Sequence, residues 1–142
     1  MLLHIVARGK IGRGPEAELV DRYLKRLTWP AKVTELADGG GKAAAPPSID
    51  NSVTILLDEK GEQLGSMAFA EKLGRWRDDG RREARFLIGA ADGFDESQRR
   101  EADLLFAFGK ATWPHMLARA MLAEQLWRAT SILAGHPYHR EG

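Results

Sequence analysis

Residues 104–115 read LLFAFGKATWPH and indicate the fold class. The apolar run at 104–108 predicts a short buried strand, and a long apolar helix is predicted from about residue 116 to residue 134. A polar loop lies between the two. Such a loop after a strand binds ligands in α/β proteins, because its backbone N–H groups are not paired within a helix or a sheet. We therefore expect a ligand site at the end of this strand.

The composition is typical of one folded domain spanning residues 1–142, since 44% of the residues are hydrophobic. The chain has no cysteine, which excludes disulfides and thiolate metal sites and is compatible with a cytoplasmic location. No apolar run approaches the roughly 20 residues of a membrane span, and the first residues suggest a strand rather than a signal peptide. The net charge is only +1, so an RNA partner would require basic residues gathered on one face.

Hydrophobic patterns predict five strands alternating with four helices. The predicted strands cover residues 2–7, 32–37, 53–58, 84–89 and 104–108, and the predicted helices 15–28, 66–79, 95–103 and 116–134. We expect a turn at 59–61 and a cap from Ser66 at the start of the second helix. The order β-α-β-β-α-β-α-β-α favours a mostly parallel sheet with helices on both faces. Three of its strand ends, at Leu57-Asp58, 89–93 and 108–113, should share one pocket.

Two glycine-rich segments do not match phosphate-binding motifs. Gly9, Gly12 and Gly14 have the wrong spacing for a dinucleotide fingerprint, and residues 39–42 lack the Walker pattern. We expect residues 38–47 to form a loop, and a lid over a substrate is compatible with its length. For Asp58, a cap on the neighbouring turn is favoured over a catalytic role.

The last predicted helix is apolar on nearly every side, with a narrow polar strip that includes Glu124 and Arg128. A helix of this kind must be buried on more than one side. A second copy of the chain is the simplest cover, so we favour a homodimer over an ordinary core helix. We expect Arg128 to pair with Glu124 on the same helix.

Three segments, residues 112–119 (TWPHMLAR), 123–129 (AEQLWRA) and 136–140 (HPYHR), closely resemble the ribosomal large-subunit methyltransferase H family. The resemblance extends over the whole chain and includes residues 2–9, 56–58 and 87–89. That family belongs to the SPOUT class. The resemblance implies a sheet of five to six strands, with the C-terminal part, from about 84 to 142, threaded into a deep trefoil knot.

The resemblance also implies an activity. The family uses S-adenosylmethionine to methylate N3 of pseudouridine 1915 in helix 69 of 23S rRNA. It acts as a homodimer on assembled ribosomes, and no metal is implied. Two alternatives remain open: a non-catalytic ribosome-binding assembly factor on the same fold, and a small-molecule α/β enzyme that uses the same pocket.

Site residues follow from matching positions. The resemblance places the methyl donor against Leu57, Gly89, Gly93, Phe108, Gly109, Lys110, Ala111, Thr112 and Trp113. The chain departs from the family pattern at residues 90–92, which read AAD. That difference affects the expected shape of the turn.

The catalytic residues implied by the resemblance are Tyr138, His139 and Arg140. We hypothesise that His139 or Tyr138 accepts the proton from N3, because an imide nitrogen must lose it to attack the methyl group. Arg119 and Arg140 would orient a phosphate or a uracil oxygen. His136 is a further candidate for substrate binding, although a helix stop formed with Pro137 is favoured over direct chemistry.

Overall fold

The computed structural model describes residues 1–37, 46–89 and 93–135. The order of elements within these residues is the predicted one. They are β1 (Leu2–Arg8), α1 (Pro15–Arg26), β2 (Ala31–Leu36), β3 (Ser52–Glu62), α2 (Ser66–Asp78), β4 (Glu83–Ile88), α3 (Glu96–Glu101), β5 (Leu104–Phe106) and α4 (His115–Leu133).

The strands form one sheet in the order β2-β1-β4-β3-β5, and every neighbouring pair is parallel. The predicted parallel α/β sheet is therefore confirmed. The trefoil knot stays a prediction, because the segment expected to form it includes residues outside the described part.

Side chains from alternate positions of the strands form the main core. Leu3 and Ile5 lie opposite Ala84 and Phe86 in the register of β1 and β4. This face packs against α2 and α4, which contribute Phe69, Leu73, Leu122 and Leu126. The intervening positions of β1, such as His4 and Val6, are buried as well, as expected for a central parallel strand.

The prediction of a turn at residues 59–61 is wrong, because β3 continues to Glu62 with an irregular register next to β5. A Cβ atom at Gly61 would lie 2.6 Å from backbone atoms of Leu105 and Phe106. A residue without a side chain therefore allows β3 to run on beside β5. The backbone N–H of Ala107 donates to the carbonyl of Glu62 over 2.9 Å and extends this pairing.

The prediction that Ser66 caps α2 is also wrong. Gly65 is the N-cap residue, and the Ser66 hydroxyl instead donates to the Gln125 side chain over 2.9 Å, tying α2 to α4. A side-chain cap is present on α3, where Asp95 and Gln98 form a reciprocal capping box.

Helix α4 finds much of its cover within the same chain. It packs against α1 and α2, and Ala120 and Ala123 form a small cluster with Val20 of α1. The predicted pair is present, with Arg128 Nε 2.8 Å from Glu124. The apolar character of α4 is thus explained in part without a second copy, and the homodimer stays a prediction. No helix in the described ranges is long and apolar enough to span a membrane.

Candidate active site at the carboxyl ends of the strands

A cavity of about 610 Å³ lies at the carboxyl ends of β3, β4 and β5. Its size falls within the range of small-molecule and cofactor sites. The described residues that line it are Leu57, Asp58, Glu59, Ile88, Gly89, Gly93, Phe94, Arg99, Phe106, Ala107, Phe108, Gly109, Ala111, Thr112, Trp113, Pro114, His115 and Ala118. The sheet thus brings together the three strand ends at which the sequence predicted one pocket.

The predicted donor-contacting residues converge on this cavity, except Lys110, which is exposed and is not among its lining residues. Their part in binding a donor stays a prediction. Leu57 and Trp113, expected as apolar walls, both line the cavity, and Trp113 remains 42% exposed.

The loop after β5 is held by two side-chain hydrogen bonds. The Thr112 hydroxyl donates to Glu59 in the last third of β3 over 2.6 Å. The indole Nε1–H of Trp113 donates to the carbonyl of Phe108 over 2.9 Å and closes the loop on itself. The backbone groups expected to bind the donor therefore lie on a loop anchored to the neighbouring strand.

Gly89 lies at a crowded position directly after β4. A Cβ atom there would be 3.3 Å from the ring of Phe94 and 3.4 Å from the carbonyl oxygen of Gly93. The resemblance places Gly89 against the methyl donor, where a glycine lets a ligand approach the backbone closely. The structure adds crowding within the protein as a second reason.

An ion pair that sequence reasoning missed forms one wall of the cavity. Asp58 Oδ2 accepts a hydrogen bond from Arg99 Nε over 2.7 Å, and Oδ1 accepts one from the backbone N–H of Lys60 over 2.9 Å. Asp58 was expected to cap the turn at 59–61, and that turn is absent. The bond from Lys60 N–H is a local contact within β3. The capping box at Asp95 could have indicated α3, but not that its Arg99 turns toward β3.

The Asp58–Arg99 pair is charged at neutral pH. Burial raises the pKa of Asp58, but the hydrogen bonds from Lys60 N–H and Arg99 outweigh it and hold the pKa below its usual value. The bond to Asp58 raises the pKa of Arg99 in turn. The cavity wall therefore carries a fixed carboxylate and a fixed guanidinium.

His115, at the first turn of α4, also borders the cavity. The side chain does not cap the start of α4, and its buried Nδ1 is left without a hydrogen-bond partner among the described residues at the border of the cavity.

Arg119, predicted to bind substrate, is only 1% exposed and does not line the cavity. Its guanidinium pairs with Glu35 and donates to the carbonyl of Gly9 over 3.0 Å. The bond from Arg119, followed by one from Ile11 N–H, lowers the pKa of Glu35. Arg119 thus joins α4 to the ends of β1 and β2. Contact between Arg119 and the substrate stays a prediction, and it would require the ion pair with Glu35 to open.

The other predicted functional residues, His136, Tyr138, His139 and Arg140, lie outside the described residues, as do residues 90–92. Among the residues that are described, no group of three or more His, Asp or Glu side chains is placed to hold a metal ion.

Comparisons with known proteins agree with this picture. Residues 1–139 match the family described as "Predicted SPOUT methyltransferase". Three similar proteins, each called Ribosomal RNA large subunit methyltransferase H, come from Rhizorhabdus wittichii, Novosphingobium aromaticivorans and Zymomonas mobilis. They are 82%, 73% and 64% identical to this chain over 142 residues, and the whole of both chains is covered in each case. The chain therefore belongs to the SPOUT methyltransferases, in the family of the ribosomal RNA large subunit methyltransferase H proteins.

Proposed function

We propose that this protein uses S-adenosylmethionine to methylate N3 of pseudouridine 1915 in helix 69 of 23S rRNA. It acts as a homodimer on assembled ribosomes in the cytoplasm. The observation that carries the proposal is the convergence of the family's donor-binding positions on one cavity at the strand ends. The names of the full-length relatives support large-subunit rRNA as the substrate class.

The cavity fits the chemistry of this donor. Leu57, Ile88 and Trp113 offer apolar surface for an adenine ring. The anchored loop at 108–113 offers backbone groups for the polar edge of that ring. The charged side chains of Asp58 and Glu59 on β3 and of Arg99 on α3 suit the amino-acid end of the donor. When bound, S-adenosylmethionine supplies a methyl group activated by its sulfonium.

Proton removal from N3 is the task left to the protein's side chains. The proposed acceptor is His139 or Tyr138, while Arg140, His136 and Arg119 bind the nucleotide. These groups would hold the nitrogen in line with the methyl group and exclude water, which lowers the barrier by orientation. His115 is the histidine among the described residues that lines the cavity. A His115 variant is therefore the comparison for variants of His139 and Tyr138 in a test of the proton acceptor.

The substrate is proposed to be the ribosome rather than free RNA. A net charge of +1 provides little general attraction for phosphate. Exposed arginines near the end of α2, including Arg75, Arg77 and Arg82, are local exceptions. Binding would therefore depend on the shape of an assembled particle, with the second protomer completing the surface around the pocket.

Methyl transfer from labelled S-adenosylmethionine tests the proposal directly. Whole ribosomes, separated subunits and free rRNA from cells lacking this protein would be compared, and the labelled nucleotide would be mapped. We expect label at one pseudouridine, on assembled particles only. Trp113→Ala should reduce donor affinity, whereas Trp29→Ala, whose side chain packs against the core and does not line the cavity, should not.

The negative outcomes separate the alternatives. Donor binding by calorimetry without label on any ribosomal particle would mean that the substrate assignment is wrong. Tight, stoichiometric binding to ribosomes without any donor binding would refute the enzyme and support the alternative function, a non-catalytic assembly factor.

A further inference from the structure

We propose that Arg99 binds the carboxylate of the methyl donor's amino-acid end, an inference that rests on the proposed use of S-adenosylmethionine. Arg99 lies on α3 and lines the cavity, and its side chain is 22% exposed. Sequence resemblance did not point to this residue, because neither its spacing nor its neighbours form a motif.

Contacts with the described residues occupy only part of the guanidinium. Nε donates to Asp58, and Nη1 donates to Glu96 over 3.2 Å. Nη2 makes no hydrogen bond to any described residue. A guanidinium has five N–H donors, so Arg99 keeps donors for a ligand.

The orientation of Arg99 is fixed before any ligand arrives. Its partner Asp58 has a side chain only 4% exposed and is held in turn by the backbone N–H of Lys60. The start of α3 is fixed by the capping box of Asp95 and Gln98. Because an ordered side chain loses little rotamer freedom on binding, such a donor group costs less to use than a free surface arginine.

Charge matching points to a carboxylate as the ligand. Arg99 is the one Lys or Arg side chain among the described residues that line the cavity, beside the carboxylates Asp58 and Glu59. A carboxylate that enters a largely apolar cavity must meet a cation or lose much of its hydration energy. The donor also carries an ammonium and a sulfonium, which the two protein carboxylates suit.

A phosphate of the RNA is the less favourable ligand for Arg99. The side chain is recessed and flanked by Asp58 and Glu96, so the local charge of the three groups together is negative. That field opposes a polyanion more than it opposes a donor that carries two positive groups of its own.

The test compares two ligands that differ only in the carboxylate: S-adenosylmethionine and decarboxylated S-adenosylmethionine. Calorimetry would measure both on the wild-type protein, Arg99→Gln, Arg99→Lys and Arg100→Gln. Arg100→Gln is the matched control, because it removes the same charge from an exposed position of the same helix. Thermal unfolding would check that each variant is folded.

We expect Arg99→Gln to lower the affinity for S-adenosylmethionine about 10- to 100-fold, which is the range expected for losing a hydrogen bond to a charged group. Affinity for the decarboxylated ligand should stay within about twofold in the same variant. Arg99→Lys should retain part of the preference for the carboxylate, and Arg100→Gln should leave both affinities unchanged. If Arg99→Gln does not fold, the ratio of the two affinities in Arg99→Lys decides.

An equal loss for both ligands would overturn the proposal and make Arg99 a structural residue only. Unchanged donor affinity with a raised KM for ribosomes would overturn the proposal and indicate that Arg99 binds RNA rather than the donor. Failure of the wild-type protein to bind S-adenosylmethionine would instead refute the proposed function itself.

Discussion

At the amino ends of the strands, His4 of β1 and Glu83 of β4 form a pair closed off from solvent, whereas at the carboxyl ends Asp58 and Arg99 form a pair that borders a cavity. His4 and Glu83 are each only 3% exposed. Their neighbours complete the hydrogen bonds, with Thr34 2.7 Å from His4 Nε2 and Ser52 2.8 Å from Glu83. The His4–Glu83 pair is enclosed, whereas Arg99 of the second pair is 22% exposed and faces the cavity, where a ligand can reach it.

The protonation of His4 follows from this enclosure. Burial lowers its pKa more than the hydrogen bond and charge of Glu83 raise it, so the imidazole is neutral. Nδ1–H then donates to Glu83 over 3.0 Å, and Nε2 accepts from the Thr34 hydroxyl. Both ring nitrogens of His4 are thus paired, although Nε of the adjoining Arg85 is buried without a hydrogen-bond partner among the described residues. The difference between the two ends teaches that an enclosed polar pair supports the fold, while a partly exposed pair beside a cavity is available for binding.

The largest expected effect comes from breaking the closed pair. Glu83→Ala removes a buried partner of His4, Ser52 and Arg85 and should lower the free energy of unfolding by about 3–5 kcal/mol. Denaturant unfolding measures this loss, with Glu71→Ala on the exposed face of α2 as control. Donor affinity of the folded fraction should not change, and a selective loss of donor affinity would contradict the comparison.

Asp58→Asn is the corresponding change at the cavity. It keeps the shape but removes the charge that holds Arg99, so we expect about 1–3 kcal/mol less stability together with weaker donor binding. Calorimetry and thermal unfolding on the same samples separate the two effects. Loss of stability with unchanged donor affinity would show that the pair at the carboxyl end is as purely structural as the one at the amino end.

Thr112→Val tests the loop anchor with a smaller effect. The hydroxyl bond to Glu59 is exposed, and its removal should weaken donor binding by about 0.5–1.5 kcal/mol with little change in stability. Thr28→Val, at an exposed position outside the cavity lining, is the control. If both variants bind the donor as the wild type does, the anchor does not shape the site.

The pH dependence of stability should carry the smallest effect. Because the pKa of folded His4 lies below 6.5, the unfolded chain binds more protons, and stability falls as pH drops through and below 6.5. The wild type minus His4→Gln difference in unfolding free energy, measured between pH 5 and 8, should show this slope. Besides Glu83, the charges that act on His4 are Arg85 and Lys32. A difference that does not vary with pH would mean that His4 titrates normally.

Several sequence predictions succeeded because they depended on local patterns. Apolar runs such as residues 53–57 identify a strand wherever the chain places them, and the order of the described elements other than α3 follows from apolar runs or periodicity. The turn predicted at 59–61 failed, since a glycine there serves close packing against β5 rather than a change of direction.

Sequence alone therefore determined the element order, the parallel sheet, the family and the strand ends around the cavity, since each depends on periodicity or on a continuous motif. Only the tertiary structure decided how polar side chains that are distant in the sequence pair. Arg99 meets Asp58 across 41 positions of the chain, and Arg119 meets Glu35 across 84. Such contacts leave no local pattern, because their energy depends on burial and distance that exist only once the sheet has assembled. For that reason the sequence did not show that Arg119 is buried inside the fold while Arg99 lies at the edge of the cavity.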